Sequence, residues 1–195
     1  MKHIEVPECE IVVLTGFSGA GKDTLAKKLL EKLNYESLVG QTTRTIRNEE
    51  VDGNEYFFVS NEEMLSDVAN GKILELREYQ TIYGKWFYGT NVTKFEKNKK
   101  YIKIADLDGA MFFKSLKNVK TTVIFIDCPD EIRKERCKTS RKEFSEEEWN
   151  RRLEDDNNKY GYDYISKADY IVQNINLEKA LKKIENILNK GKEND

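Results

Sequence analysis

The segment Gly16-Phe17-Ser18-Gly19-Ala20-Gly21-Lys22-Asp23-Thr24 concentrates the residues of this chain best suited to chemistry. An apolar run, Ile11-Val12-Val13-Leu14, precedes it, and an amphipathic pattern at Leu25, Ala26, Leu29, Leu30 and Leu33 follows. A buried strand, a glycine-rich turn and a helix start, in that order, make a phosphate-binding loop. Glycines let the chain bend until several backbone N–H groups face one concavity, where the helix dipole adds about half a positive charge. Lys22 can reach the terminal phosphates of a nucleotide. Asp23 stands where such loops usually carry a Ser or Thr that ligates Mg²⁺. Its carboxylate is a hard oxygen ligand, able to hold the metal directly or through water. In the alternative reading Asp23 only complements the helix dipole, and Thr24 or water serves the metal.

The elements that must position this loop follow from hydrophobic patterning. Beyond the first strand and helix, Tyr35–Val39, Tyr101–Ala105, Thr121–Ile126 and Tyr170–Val172 read as strands. Leu177–Leu188 reads as a closing amphipathic helix. Strands alternating with helices predict an α/β fold, a parallel sheet with helices on both faces and the ligand crevice at the carboxyl ends of the strands. Two segments break the rhythm. Residues 40–90 are rich in Thr, Tyr, Glu and Gly and predict a lobe of short strands with one helix after Ser60. Residues 130–164 are strongly charged and predict helices, one of them opened by a capping box at Ser145-Glu146-Glu147-Glu148. The expected division is therefore a core of about 1–39, 91–129 and 165–195, carrying a lobe at 40–90 and a helical lid at 130–164.

Composition narrows the function classes. The chain has 195 residues, enough for one domain with a sizeable core. Charged residues make up 35% of it, yet the net charge is only −2, a solvated surface without the bias expected of nucleic-acid or anionic-membrane binding. Neither a signal peptide nor a membrane-spanning run precedes Ile11. Cys9, Cys128 and Cys137 lack metal-binding spacing and read as reduced thiols of a cytoplasmic protein. His3, the single histidine, lies at the terminus, which argues against most histidine-based catalysis. Monomer and homodimer are both compatible with the sequence.

The middle of the chain carries a resemblance. Thr42-Thr43-Arg44-Thr45-Ile46-Arg47, then Val51-Asp52-Gly53-Asn54-Glu55-Tyr56-Phe57-Phe58-Val59-Ser60, Asn70-Gly71-Lys72-Ile73-Leu74-Glu75 and Tyr88-Gly89-Thr90, closely resemble the guanylate kinase family. The likeness runs from about Ile11 to Leu188. It implies a P-loop core with a mixed-β nucleotide-monophosphate lobe and a helical lid. The implied activity is transfer of the γ-phosphoryl group of ATP to GMP or dGMP, with Mg²⁺. ATP would then lie on Gly16, Ser18, Gly19, Ala20, Gly21, Lys22, Asp23 and Thr24.

The residue chemistry agrees with that implication. Arg44 and Arg47 offer planar forks and Tyr56 and Tyr88 phenolic donors, a set that suits a phosphate dianion. Guanine presents N1–H and an exocyclic amine as donors, so a carboxylate suits it and repels the adenine edge. Glu75 matches the family's base-reading glutamate, Asp106 its aspartate partner and Thr90 its hydroxyl near the base. Arg136 and Arg152 match lid arginines that neutralise charge developing in transfer, and Arg141 matches with a spacing that differs by about one residue. With Lys22, these three make the catalytic set that the resemblance implies.

Three departures bear on the base. Gly40 stands where the family often has a guanine-reading serine, Tyr79–Phe87 reads as a longer loop, and Ile104-Ala105-Asp106-Leu107-Asp108-Gly109 differs from the family's Asp-x-Asp-x-Gln-Gly. They leave open a broader deoxynucleoside monophosphate kinase. A non-catalytic guanylate kinase-like binding module is disfavoured by the intact Gly16, Gly21 and Lys22, and a sugar-phosphate kinase by Arg47, Tyr56 and Glu75.

Overall fold

A computed structural model describes residues 5–47, 50–81, 84–140 and 144–190. Arg141 and His3 lie outside the described residues. Strand β1 (Cys9–Gly16) is the axis of the core; every residue but Glu10 is buried, as a strand covered on both faces requires. It pairs in parallel with β7 (Lys100–Ile104) on one side and β8 (Val119–Asp127) on the other. The outer strands are β2 (Glu36–Ser37) and β9 (Tyr170–Gln173), giving the order β2-β7-β1-β8-β9. The α/β class expected from the sequence is thus present, with β2 reduced to two residues of the expected Tyr35–Val39 strand.

Alternate side chains of β1 enter different cores. Val12 and Leu14 pack with Leu25 and Leu29 of α1 (Lys22–Lys32) and with Leu181 and Ile184 of α7 (Leu177–Lys190). Ile11 and Val13 pack on the other face with Leu107, Ala110 and Phe113 of α3 (Leu107–Lys114). Parallel register brings Gly16 level with Ile126, Leu14 with Ile104 and Asp127 with Gln173. The loops after β1, β7, β8 and β9 therefore open on the same edge of the sheet.

The second sheet, ordered β4-β3-β6-β5, is built from β3 (Gly40–Thr42), β4 (Tyr56–Phe58), β5 (Ile73–Thr81) and β6 (Gly84–Asn91). Helix α2 (Asn61–Ala69) starts at Ser60, whose hydroxyl caps Glu63 N–H at 3.0 Å. The expected Tyr79–Phe87 loop is corrected here. Tyr79 pairs with Trp86 and Glu78 with Phe87, so the added length extends a hairpin. The apolar and aromatic residues at Tyr79, Trp86 and Phe87 suit strands better than a free loop. Between β8 and β9 lie α4 (Asp130–Ser140), α5 (Glu146–Lys159) and the short α6 (Tyr162–Ile165); Ser145 caps α5 through Glu148 N–H at 3.2 Å.

Candidate active site

The glycine-rich turn leaves β1 under tight steric constraint. Gly16 has φ +136°, and a Cβ there would lie 2.3 Å from the Ile126 carbonyl oxygen, so only glycine lets β1 and β8 stay paired as the loop begins. Gly21, at φ +87°, is the left-handed N-cap from which α1 starts, with Leu25 N–H donating to its carbonyl at 3.0 Å. Lys22 folds back over the turn, its ammonium donating to the carbonyls of Gly16 at 2.8 Å and Phe17 at 2.9 Å. Burial lowers the Lys22 ammonium's proton affinity, while the charges of Asp23 and Asp156 oppose that fall. Asp23 and Thr24 are exposed at the helix start.

The loop is braced by residues that motif reading did not single out. Arg133 of α4 is buried to 1% exposure, its guanidinium 4.7 Å from the Phe17 ring centre and 5.4 Å from that of Trp149. It donates to the Ser18 carbonyl at 2.9 Å, to Asp156 at 2.8 Å and to Asp130 at 2.6 Å. Asp156 of α5 in turn accepts the Ser18 N–H at 2.9 Å. Asn174, just past β9, donates to Ala20 O at 2.8 Å. A signal for the pair was present: Asp156 falls on the same helical stripe as Trp149 and Leu153, where a solvated charge has no place.

Arg136 also turns to the core, donating to Ile175 O at 3.2 Å and reaching Ala20 O at 3.5 Å. Arg152 is held by Glu148 at 2.6 Å and is close enough to Lys22 for its charge to act on that ammonium. The glycine-rich loop, Lys22, Arg136 and Arg152 are therefore brought together.

Just past β3, Arg44 is buried at 5% exposure, with Nη2 donating to Glu50 at 2.6 Å and Nη1 to Thr45 O at 2.8 Å. Its guanidinium lies 5.8 Å from the Tyr56 ring centre and 5.3 Å from that of Phe58. Tyr88, opposite Thr42 on β6, stacks edge-on to Tyr56 with centroids 5.6 Å apart. Burial pushes the Tyr56 hydroxyl up to about 12, so it remains a donor at neutral pH, and the charge of Asp23 in the phosphate loop contributes to that rise. The tyrosine cluster thus faces the loop across the crevice. Arg47 is exposed near its rim, its N–H donating to Glu50 at 2.9 Å.

Glu75 owes its direction to a bulge in β5, where the register shifts between Leu74 and Arg77. Its φ of +49° is a strained value for a non-glycine residue, costing on the order of 1–3 kcal/mol. The carboxylate accepts from Thr90 Oγ1 at 2.8 Å, and burial drives its proton affinity up. Asp106 has other partners: Oδ1 caps α3 through Gly109 N–H at 2.8 Å, and Oδ2 accepts from Lys159 at 2.7 Å and Tyr79 at 3.1 Å. Burial favours its neutral form, but the Lys159 and Gly109 donors prevail and hold its proton affinity below the usual aspartate range.

No group of three or more His, Cys, Asp or Glu side chains suited to a metal occurs among the described residues. At the start of α1, Asp23 and Thr24 offer exposed hard oxygen donors, a small set that fits Mg²⁺ arriving with nucleotide phosphates, its usual mode of binding.

Comparison with known proteins agrees with this geometry. The family model described as guanylate kinase matches residues 8–191. A guanylate kinase from Clostridium perfringens (strain SM101 / Type A) is 38% identical over 187 residues, spanning 91% of this chain and 82% of that protein. One from Anaplasma phagocytophilum (strain HZ) is 33% identical over 186 residues, spanning 91% and 85%. The crystal structure of guanylate kinase from Anaplasma phagocytophilum superimposes with a TM-score of 0.65 at 29% identity, covering 95% of this chain and 87% of that one. With a phosphate loop facing an arginine–tyrosine cluster across one crevice, and this likeness along nearly its whole length, the chain belongs to the guanylate kinase family.

Proposed function

We propose that the chain transfers the γ-phosphoryl group of ATP to GMP or dGMP, releasing ADP and GDP or dGDP. The observation that carries this reading is the pairing of Glu75 with Thr90 in the same small sheet as Tyr56 and Tyr88, with Arg44 just past β3 against the Tyr56 ring and Tyr56 within electrostatic reach of Asp23. Arg44, Arg47, Tyr56 and Tyr88 hold the acceptor phosphate. Glu75 accepts from the donor edge of guanine, assisted by Thr90. Asp106, both of whose oxygens are engaged, closes the base end of the site through Tyr79 and Lys159.

The donor phosphates lie on residues 16–24, where Lys22 meets the terminal ones. An acceptor phosphate oxygen attacks the γ-phosphorus as the bond to the β-bridging oxygen breaks. That oxygen is already ionised near neutral pH, so the step needs no general base, and positioning with charge neutralisation supplies the acceleration. Arg136 and Arg152, with Arg141 as a further candidate, neutralise charge on the transferring group. Mg²⁺, held by Asp23 or Thr24, would screen the phosphates and orient them.

The function is assayed by ADP release from MgATP with GMP, dGMP, AMP, CMP, UMP and dTMP. Turnover on GMP and dGMP alone is the expected result. Turnover across several bases would refute guanine reading by Glu75 while sparing the phosphate cluster, and turnover on none would refute the kinase reading. A cytoplasmic setting belongs to the same proposal, since Cys9, Cys128 and Cys137 are free and buried.

A further inference from the structure

Strand β7 carries a feature that the phosphoryl-transfer scheme does not use. Lys103 sits mid-strand between Ile102 and Ile104 and is only 6% exposed. A lysine in a strand covered on both faces cannot extend its ammonium to water, as surface lysines do. Its Nζ lies 3.7 Å from Glu75 Oε1 and 5.6 Å from the centre of the Phe113 ring. Glu75 is itself only 9% exposed. An apolar side chain would pack this strand at lower cost, because a buried ammonium carries a desolvation penalty of several kcal/mol that one carboxylate only partly offsets. The pair sits at the base end of the acceptor site, and among the described residues Glu75 is the carboxylate whose charge acts on Lys103.

The surroundings of Glu75 show what the ammonium does there. Thr90 from β6 donates to the same oxygen, Oε1, at 2.8 Å. Arg77 from β5 contributes a further positive charge, and Asp106, at the start of α3, a negative one. Asp106 is in turn bound by Lys159 of α5 and Tyr79 of β5. Oε2 lies over Gly109, where a Cβ would come within 2.7 Å of it. Among the described residues no hydrogen-bond donor reaches Oε2. One oxygen of Glu75 is therefore fixed by Thr90 and Lys103, and the other keeps its accepting capacity free of donors among the described residues.

We propose that Lys103 is a positioning residue for acceptor selection: its buried ammonium, 3.7 Å from Oε1, holds the Glu75 carboxylate turned toward the base, so that guanine is chosen. This rests on Glu75 reading the base. Burial, and less strongly the charge of Asp106, raises the proton affinity of Glu75, and Lys103 is the largest influence opposing that rise; burial lowers that of Lys103 in turn, and Glu75 opposes that fall. A protonated Glu75 would present one donor and lose an acceptor, weakening its match to the N1–H and amino group of guanine. Lys103 would thus act on KM for the acceptor with little effect on the transfer step.

The test compares Lys103→Met, Lys103→Gln and Glu75→Gln with the parent enzyme, measuring kcat and KM for GMP, IMP and AMP from pH 6 to pH 9 with saturating MgATP. For Lys103→Met, KM for GMP is expected to rise about tenfold at neutral pH and to fall again as pH increases. The acid limb of 1/KM moves up by about one pH unit or more, the usual reach of a lost ion-pair partner. KM for ATP stays at its parent value, and IMP, which lacks the amino group, loses less than GMP. Lys103→Gln keeps a donor without the charge, and the same displacement is expected of it if Lys103→Met does not fold. Unchanged acceptor KM and pH profile in the neutral variants, alongside lost GMP preference in Glu75→Gln, would overturn the role of Lys103 alone. Unchanged GMP preference in Glu75→Gln would overturn the base reading beneath it.

Discussion

Replacing Asp156 with alanine tests the brace between the α4–α5 segment and the phosphate loop. The substitution removes the 2.8 Å pair with Arg133, which is 1% exposed, and the acceptor for the Ser18 N–H at 2.9 Å. Leaving one partner of a buried ion pair without the other costs about 3–5 kcal/mol. Arg133 keeps Asp130 at 2.6 Å and Ser18 O at 2.9 Å, which favours the lower part of that range. The half-buried Ser18 N–H also loses its acceptor, adding about 0.5–1.5 kcal/mol, the usual net worth of one hydrogen bond. A loss of about 3–5 kcal/mol is a large share of the stability of a domain, typically about 5–15 kcal/mol. Urea unfolding of Asp156→Ala should show its midpoint lowered by more than about 1 M, given a slope of about 1–3 kcal/mol/M. The double variant Arg133→Met, Asp156→Leu should recover most of this, because well-packed apolar residues replace a buried pair at little cost. KM for ATP should be raised in the single variant and stay raised in the double one, because Ser18 lacks its anchor in both. A loss below about 1 kcal/mol in the single variant, or a double variant less stable than the single, would refute the argument.

Other perturbations separate the two halves of the site. Gly109→Ala places a methyl group 2.7 Å from Glu75 Oε2 and should raise KM for GMP about tenfold, or about 1.4 kcal/mol, leaving KM for ATP unchanged in steady-state assays. Arg44→Ala strips a buried cation from Glu50 and from the acceptor, and should weaken GMP use by about 2–5 kcal/mol while ATP binding by calorimetry survives. Asp23 beside the phosphates predicts steep Mg²⁺ dependence of ATP affinity; equal affinity with and without Mg²⁺ would contradict it. Glu148 is held down at about 2 by its hydrogen bond to Arg151, with Arg152 assisting, against an ordinary value of 4.5. A depressed carboxylate stabilises the fold above its unfolded value and loses that contribution as pH falls toward its folded one. The stability gap between parent and Glu148→Gln should therefore be present above pH 4.5 and close between pH 4.5 and about 2 in acid titrations followed by circular dichroism.

The sequence by itself determined the fold class and the phosphate loop. Both are local in origin: Ile11–Leu14 followed by glycines, Lys22 and an amphipathic run leave few alternatives, because strand burial, turn geometry and helix start are encoded within consecutive residues. Resemblance located Arg44, Tyr56, Glu75 and Tyr88 along the chain, but their convergence depends on β3, β6 and a bulge in β5 that no spacing reveals. The Tyr79–Phe87 segment reads as a loop in isolation and becomes a hairpin only when its strands pair. Tertiary structure alone joined Arg133 to Asp156, Asp106 to Lys159 and Lys103 to Glu75. Each such pair lies far apart in sequence, and in a chain so rich in charge an individual lysine or aspartate reads as solvated surface. Only burial shows which charges were taken out of water, and a charge taken out of water must find its partner wherever the fold brings one.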